Sequence, residues 1–236
     1  MIDIGANDRV FVLTGAGVSA ESGIPTFRDA GGLWRNFRFE EVASPSAWQR
    51  DPRLVWEFYS MRRRRASEAK PNPAHLALAE LERTLGERFF LCTQNVDNLH
   101  EQAGGIRLLH MHGELFKSRC DSCQRGPFED RNLYEPPAEI PRCDCGGLIR
   151  PHICWFGEMP YGLRSIATLL DECTIFMAVG TSGVVEPAAS FAARVHRRAR
   201  TIYVGPETPA NRSSFARCYL GNAGELLPQL LQLNGR

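Results

Sequence analysis

Residues 15–28 read Gly15-Ala16-Gly17-Val18-Ser19-Ala20-Glu21-Ser22-Gly23-Ile24-Pro25-Thr26-Phe27-Arg28 and directly follow the apolar run Val10 to Leu13. The run is typical of a buried strand, and the glycines predict a turn into the start of a helix. Gly15 and Gly17 would let backbone N–H groups approach a pyrophosphate, which a helix N-terminus also favours. Glycine turns between strand and helix are also common without a ligand. Ala20 moreover stands where the usual dinucleotide fingerprint has its third glycine.

Apolar runs alternate with amphipathic stretches over most of the chain. The predicted buried strands are Val10 to Leu13, Phe89 to Cys92, Leu108 to His110, Ile175 to Val179 and Thr201 to Val204. The predicted helices are Ala74 to Leu85, Val96 to Gln102, Leu163 to Leu170, Ala188 to Ala199 and Gly224 to Leu233. This alternation predicts an α/β fold with a Rossmann-like doubly wound parallel sheet.

Two segments break the alternation, a helical one at 40–70 and a cysteine- and proline-rich one at 117–150. We assign both to a smaller inserted module, helical in its first part and zinc-binding in its second. The Rossmann-like domain is then built from residues 1–39, 71–116 and 151–236. Ligands of such folds bind in a cleft at the carboxyl ends of the strands.

The composition is that of an ordinary globular protein, with 236 residues of which 43% are hydrophobic and 23% charged. This length can bury one good-sized core and a small satellite module. The apolar runs are too short to span a bilayer and the N-terminus lacks a secretory signal, so we expect a cytoplasmic protein without membrane contact. A net charge of +1 gives no general attraction to nucleic acid. We expect a monomer.

Eight cysteines in a chain of this kind indicate thiols and metal rather than disulfides. Cys120 and Cys123 form one close pair, and Cys143 and Cys145 form a second. Four thiolates in two pairs suit a closed, structural zinc site, although the second pair is one residue shorter than the usual knuckle. The alternative is a chance set of free thiols. The remaining cysteines are predicted to be small buried hydrophobic side chains: Cys92, Cys154, Cys173 and Cys218.

Polar residues follow two of the predicted strands. Gln94, Asn95 and Asp97 come after Phe89 to Cys92, where amides and a carboxylate could hold a ribose and a carboxamide. Asn and Asp are also common helix N-caps, and capping does not exclude ligand contact. His112 comes at the end of a strand, where its imidazole can face the cleft as a general base. The alternative for His112 is a structural histidine.

A helical pattern over Leu54 to Arg65 carries an arginine in its apolar face. At about 100° per residue, that face contains Leu54, Val55, Phe58 and Tyr59. Arg62 projects into the middle of the face, next to Tyr59. A phenol donor then adjoins a planar guanidinium, which can bind a carboxylate through two hydrogen bonds. On an arbitrary helix the simpler alternative is that Arg62 lays its stem over the core and joins residues 63–65 in solvent.

The glycine segment resembles the opening motif of the sirtuins, a family of NAD-dependent protein deacylases. Further segments match that family in order along the chain: Thr93-Gln94-Asn95-Val96-Asp97, His112-Gly113, the cysteines from Cys120 to Cys145, and Trp155-Phe156-Gly157-Glu158 followed by Gly180-Thr181-Ser182. The resemblance implies NAD-dependent removal of acyl groups from protein lysines, with release of nicotinamide and O-acyl-ADP-ribose. It also implies NAD and one structural zinc ion as cofactors, and acylated-lysine proteins as partners.

The resemblance also implies roles for single residues. His112 corresponds to the catalytic base, Asn95 and Asp97 to further catalytic residues, and Gln94 joins them around nicotinamide and its ribose. The implied NAD-binding set further contains Gly15, Ala16, Gly17, Ala20, Thr26, Phe27, Arg28, Trp34, Gly180, Thr181, Ser182, Gly205, Pro206, Glu207 and Ala223. The family usually has an asparagine at Gly205, so one contact to the adenosine ribose would pass to Glu207 or to the backbone.

The substrate side is implied in the same way. The segment Trp155, Phe156, Gly157 and Glu158 is predicted to be extended and to pair with the acyl-lysine peptide, the alternative being a hydrophobic plug. Tyr59 and Arg62, together with the small Ala30, resemble the class III branch, which removes succinyl and other acidic acyl groups. Two other functions stay open, protein ADP-ribosylation with the same cofactor and a non-catalytic NAD-sensing module that binds peptides.

Overall fold

A computed structural model describes residues 1–26, 33–34, 37–123, 125–135 and 139–231. The predicted site residues Phe27, Arg28 and Ala30 lie outside the described residues, as does the side chain of Trp34. The described strands are β1 (Val10–Thr14), β2 (Leu33–Trp34), β3 (Phe37–Arg38), β4 (Phe89–Thr93), β5 (Leu108–His110), β6 (Gly113–Cys120), β7 (Phe128–Glu129), β8 (Ile149–Ile153), β9 (Ile175–Val179), β10 (Arg200–Gly205) and β11 (Arg217–Leu220).

The helices connect these strands. The described α-helices are α1 (Gly17–Ala20), α2 (Phe39–Val42), α3 (Pro45–Arg50), α4 (Pro52–Glu68), α5 (Pro73–Leu85), α6 (Leu99–Gln102), α7 (Leu163–Glu172), α8 (Phe191–Val195) and α9 (Ala223–Leu230). Short 3-10 turns cover Gly86–Arg88, Ala188–Ser190 and Arg212–Ser214. In the described ranges, no helix is long and apolar enough to cross a membrane.

The central sheet has six parallel strands in the order β11-β10-β9-β1-β4-β5. The chain starts in the middle with β1, runs outward through β4 and β5, and returns to the other side of β1 for β9, β10 and β11. This order is that of the Rossmann sheet, and its direction reverses between β1 and β9. The predicted fold class is confirmed, and the crevice for a ligand lies at the carboxyl ends of β1 and β9.

Each face of this sheet packs against its own helices, because successive side chains of a strand point to opposite faces. Val10 and Val12 of β1 join a core with residues of α5 and α9. Phe11 and Leu13 join the other core, with residues of α7 and α8. All five β1 residues are buried, which explains why this strand reads as an unbroken apolar run.

A third core lies outside the central sheet. It unites apolar residues of 42–66 with residues of 115–155, including the antiparallel sheet β7-β6-β8. The two segments that break the alternation therefore share one core, while the predicted domain boundaries stay a prediction. Helix α4 in this region starts after Asp51, whose Oδ1 accepts hydrogen bonds from the backbone N–H groups of Arg53 and Leu54.

The alternative interpretation of Arg62 placed Arg63 in solvent as well, and for Arg63 this is wrong. Its side chain is 1% exposed, and it donates hydrogen bonds to the Leu115 carbonyl at 2.8 Å, to Ser118 Oγ at 3.0 Å and to Asp130 Oδ2 at 3.2 Å. The guanidinium also lies 5.0 Å from the Trp56 ring centroid. Arg63 tolerates burial because its charge is paired with Asp130 and its donors are satisfied. Since Leu115 and Ser118 lie on β6, these bonds connect α4 to β6.

Candidate active site

At the reversal point, the backbones of the glycine turn and of the loop after β9 touch. Gly15 N donates to the Val179 carbonyl at 3.0 Å and Gly17 N to the Gly180 carbonyl at 2.8 Å. A Cβ atom on either Gly15 or Gly17 would lie 2.8 Å from the Gly180 oxygen, and Gly180 has a φ of +61°. These positions therefore require glycine, and the turn has the bare backbone that a pyrophosphate cradle needs.

A cavity of about 630 Å³ opens at this edge of the sheet, a size typical of ligand sites. Most of the described residues of the predicted site line it: Gly15, Ala16, Gly17, Ala20, Thr26, Tyr59, Arg62, Gln94, Asn95, His112, Trp155, Phe156, Gly157, Glu158, Gly180, Thr181, Ser182, Pro206, Glu207 and Ala223. Asp97 and Gly205 are not part of its lining. The fold thus brings residues from eight separate segments of the chain into one cavity.

His112 lies between β5 and β6 and faces this cavity. Its Nδ1 is 3.1 Å from the Gln94 carbonyl, and because a carbonyl only accepts, we assign the proton to Nδ1. Burial lowers the pKa of His112, the hydrogen bond to Gln94 opposes this, and the net pKa lies below the ordinary value. At neutral pH the ring is therefore neutral, and Nε2 carries a lone pair that can take up a proton.

Asn95 and Asp97 are joined beneath the cavity by a serine. Asn95 Nδ2 donates to Ser19 Oγ at 3.0 Å, and Ser19 Oγ donates to Asp97 Oδ2 at 3.1 Å. The Leu99 N–H donates to Asp97 Oδ1 at 3.1 Å, so this carboxylate also satisfies the start of α6. Burial raises the pKa of Asp97, and these two hydrogen bonds oppose the shift. Sequence reasoning gave no role to Ser19, although it lies inside the glycine motif.

His75 supports the same serine from below. Its Nε2 lies 3.5 Å from Ser19 Oγ, and its Nδ1 accepts from the backbone N–H of Asn72 at 3.3 Å. Burial lowers the pKa of His75 to about 4, so the ring is neutral. His75 is therefore a structural histidine at the start of α5.

Tyr203 explains the glycine at position 205. A Cβ atom on Gly205 would collide with the Tyr203 hydroxyl, and Tyr203 itself lines the cavity. A tyrosine thus occupies the space next to Gly205. Lining residues that sequence reasoning missed include Tyr203, Cys154, Val185, Glu186 and Asn222. Of these, Cys154 was predicted to be a buried hydrophobic residue, but like Cys218 it is only partly buried.

The segment Trp155 to Glu158 forms a turn, so the prediction of an extended segment is wrong for this chain. Glu158 N donates to the Trp155 carbonyl at 2.9 Å, and Gly157 has a φ of +91°. The Glu158 carboxylate accepts from Trp155 N at 2.8 Å and from Arg150 at 2.8 and 3.0 Å. Glu158 therefore holds the turn closed, while Phe156 remains half-exposed at the cavity.

Two polar side chains of α4 line the same cavity. Tyr59 and Arg62 adjoin there, with the Arg62 guanidinium 5.9 Å from the Tyr59 ring centroid. Trp155 Nε1 donates to the Tyr59 hydroxyl at 3.0 Å. Burial raises the pKa of Tyr59 to about 12, so the phenol keeps its proton. A buried phenol next to a guanidinium can bind an anionic group.

The four cysteines of the predicted zinc site come together. Their sulfur atoms all lie within 4.8 Å of one another, with Cys120 and Cys145 at 3.5 Å and Cys123 and Cys143 at 3.8 Å. Tetrahedral Zn–S bonds of about 2.3 Å place sulfurs roughly 3.8 Å apart, so the cluster fits a structural zinc ion. Hydrogen bonds from the Cys123 and Ser122 N–H groups lower the pKa of Cys120 to about 7.

We expect about one zinc ion per chain, and its removal by a chelator should lower the thermal midpoint because such sites contribute folding energy directly. Cys145→Ser should reduce both the zinc content and the thermal midpoint, whereas Cys218→Ser, outside the cluster, should leave the zinc content unchanged. Metal analysis and thermal unfolding measure these effects. A protein without zinc, or a Cys145→Ser variant with unchanged zinc and stability, would contradict the assignment.

The strand order, the glycine contact and the cavity define an α/β protein of the dinucleotide-binding type. The Sir2 family profile matches residues 15–187. An NAD-dependent protein deacylase of Pasteurella multocida is 47% identical over 232 residues, which are 94% of this chain and 96% of that protein. One of Escherichia coli is 48% identical over 231 residues, or 95% of this chain and 81% of that protein.

Solved structures agree with these relatives. The crystal structure of a Sir2 homologue in complex with NAD matches with a TM-score of 0.88 at 43% identity, over 96% of this chain and 90% of that one. The chain therefore belongs to the Sir2 family. The resemblance that the sequence motifs indicated is confirmed.

Proposed function

We propose that this protein removes succinyl and malonyl as well as acetyl groups from protein lysines, and releases nicotinamide and O-acyl-ADP-ribose. The coarser activity is that of its relatives, which are named NAD-dependent protein deacylases and are 47% and 48% identical over nearly the whole chain. The chain is an enzyme of this class. The preference for acidic acyl groups is the part that the residues of α4 support.

The cavity has residues suited to each part of the reaction. The glycine turn and the loop at residues 180–182 would hold the dinucleotide. Gln94 Nε2 donates a hydrogen bond of 3.0 Å to Thr181 Oγ1 and thereby fixes this loop. NAD supplies the ribose to which the acyl group is transferred. Asn95, fixed by Ser19, would orient the nicotinamide ribose. Nε2 of His112 takes up a proton, while its Nδ1 stays on the Gln94 carbonyl.

The observation that carries the acyl preference is the hydrogen bond between Trp155 and Tyr59. An indole N–H only donates, so the Tyr59 oxygen accepts from Trp155 and directs its own O–H elsewhere. Both Tyr59 and Arg62 line the cavity, where they can offer a hydroxyl and a guanidinium to one acyl carboxylate. An acetyl group carries no carboxylate, so it gains nothing from these donors.

The direct test uses one peptide in an acetylated, a succinylated and an unmodified version, incubated with and without NAD. Mass spectrometry should detect loss of the acetyl group and of the succinyl group only when NAD is present, together with nicotinamide and the matching O-acyl-ADP-ribose. Removal of the acetyl group alone would contradict the preference for acidic acyl groups but not the deacylase activity. A mass increase of the unmodified peptide by one ADP-ribose would indicate the transferase alternative instead.

We expect Trp155→Phe to lower kcat/KM for a succinylated peptide about fivefold relative to an acetylated one. The variant loses the donor that orients Tyr59, and one net hydrogen bond contributes about 1 kcal/mol. In a Tyr59→Phe background the same change should leave the ratio unaltered, since the hydroxyl is already gone.

Trp48→Phe is the matched control. The Trp48 ring lies 5.9 Å from the Trp155 ring, but its Nε1 donates to Asp121 rather than toward the cavity. The ratio of the two activities should therefore stay at the wild-type value. An equal loss of both activities in Trp155→Phe would mean that the indole only fills space.

A further inference from the structure

The ring of His110 lies behind the catalytic loop, which we define as residues 94–97. His110 lines a second cleft of about 740 Å³, none of whose lining residues lines the first. The same cleft contains Glu101, Glu114 and Lys117. His110 is 6% exposed, and the reaction described above makes no use of it.

Four successive carbonyls at the end of β4 accept hydrogen bonds from residues 110–115. The Thr93 carbonyl accepts from Met111 N at 3.0 Å and the Val96 carbonyl from Leu115 N at 2.8 Å. Between them, the Gln94 carbonyl lies 3.1 Å from Nδ1 of His112, and the Asn95 carbonyl 2.8 Å from Nδ1 of His110. Two of these four bonds, both to carbonyls of the catalytic loop, therefore depend on the protons of histidine rings.

Glu101 decides where the protons of His110 lie. His110 Nδ1 must donate to the Asn95 carbonyl, and His110 Nε2 lies 2.8 Å from Glu101 Oε1. Both neighbours are acceptors, so an imidazolium satisfies both contacts at once. As long as the ring is charged, Nδ1 carries the proton that the catalytic loop needs.

The pKa values of the two histidines are shifted in opposite directions. Burial disfavours the charged form of His110, but the hydrogen bond and charge of Glu101 outweigh it, and the net pKa is raised. The pKa of His112 is lowered, as described above. The same strand end thus carries a histidine whose charged form is favoured, behind the loop, and a histidine whose neutral form is favoured, in the cavity.

We propose that His110, held by Glu101, is a positioning residue of the deacylase reaction that fixes the Asn95 carbonyl and thereby the side chains of Asn95 and Asp97. The proposal rests on the role proposed above for the catalytic loop. Asn95 and Asp97 are linked through Ser19 by bonds of 3.0 and 3.1 Å, so a shift of the loop backbone disturbs both together. Small displacements of positioning groups have large effects on rate.

The alternative of a metal site is weaker at this cluster. The ligand atoms of Glu101, His110 and Glu114 lie within 4.8 Å of one another. However, Glu101 already pairs with His110, and Lys117 Nζ lies 2.8 Å from Glu114 Oε1. These ion pairs account for the cluster without a metal.

The test compares two variants of Glu101 with an acetylated peptide, so its outcome does not depend on the acyl preference. Glu101→Ala removes the bond at Nε2 that holds the His110 ring against the Asn95 carbonyl and favours its charged form, and kcat/KM for NAD should fall about fivefold to tenfold, a modest loss because Glu101 is partly exposed. Glu101→Gln can donate to Nε2 and keep the proton on Nδ1, so it should restore kcat/KM to within about twofold of wild type.

The pH profile separates positioning from a merely structural role. Because the pKa of His110 is raised, its cation persists to higher pH than that of an ordinary histidine and is lost as the pH rises through that pKa, which should lower wild-type kcat/KM there. Glu101→Gln should lack this alkaline fall. The other titratable groups that interact with or adjoin His110 are His100, Asp97, Glu114, Lys117 and His152.

Glu114→Gln is the matched control, since it removes a carboxylate from the same cleft that is not bonded to His110. It should leave kcat/KM within about twofold of wild type and keep the alkaline fall. The proposal is overturned if Glu101→Ala folds with unchanged kinetics, or if Glu101→Gln is as impaired as Glu101→Ala. Equal losses in Glu114→Gln and Glu101→Ala also overturn it. The role proposed above for the catalytic loop itself is tested separately, with Asn95→Ala, which should lower kcat/KM whether or not Glu101 contributes.

Discussion

His112→Ala is expected to lower the rate of acyl removal by about two to four orders of magnitude, the range that one general base contributes. The side chain lines the cavity, its Nδ1 is held by the Gln94 carbonyl, and its Nε2 is the atom with a free lone pair. No other described histidine lines this cavity, so none replaces it. Single-turnover rates with an acetylated peptide and saturating NAD measure the loss.

The control for this variant is His196→Ala, which removes an exposed histidine bonded to its own helix. Its activity and circular dichroism should match those of wild type. The pH profile adds a second check. Since the pKa of His112 is lowered, the base stays neutral below the ordinary histidine value, and the acidic fall in activity should occur at correspondingly low pH. A folded His112→Ala enzyme with retained turnover would falsify the assignment.

Arg62→Met and Tyr59→Phe are expected to weaken desuccinylation far more than deacetylation. A succinyl carboxylate loses its hydration when it enters the cavity and must regain hydrogen bonds from these donors, whereas an acetyl group carries no charge. A charge-assisted hydrogen bond contributes roughly 1.5 to 3 kcal/mol. For Arg62→Met this corresponds to a loss of about one to two orders of magnitude in kcat/KM for the succinylated peptide.

Arg64→Met serves as the control for these variants. Arg64 is on the same helix, is exposed, and pairs with Glu135 at 2.8 Å. It should leave both activities unchanged, because exposed ion pairs contribute little. A parallel fall of desuccinylation and deacetylation in Arg62→Met would assign this face of α4 a structural role only.

The central sheet could be predicted because its strands are buried on both faces and therefore form unbroken apolar runs. All five predicted strands are present, with ends that differ by at most one residue. Strand β11 was not predicted, since its residues 217–220 are only partly buried at the sheet edge and their pattern is not apolar. The predicted helix Val96 to Gln102 is only Leu99–Gln102, because residues before it form the catalytic loop.

Site residues that belong to a sequence motif could be predicted. Site residues whose position depends on tertiary packing could be predicted much less well. Gln94, Asn95 and His112 reach the cavity as their positions after strands indicate. The contact between Tyr203 and Gly205, and the hydrogen bond from Trp155 to Tyr59, join residues whose relation depends on the tertiary structure. The turn at Glu158 was missed for the same reason, because its Arg150 partner lies on β8.

Arg62 and Arg63 are neighbours in the sequence, yet they serve separate purposes on α4. Arg62 lines the cavity, and Arg63 holds the helix to β6 and Asp130. In the proposed function, substitutions at position 62 act on the acyl group, whereas substitutions at position 63 remove buried bonds that hold α4 in place. If this proposal holds, the range of acyl groups and the stability of α4 can change separately during evolution, because they depend on different side chains of the same helix.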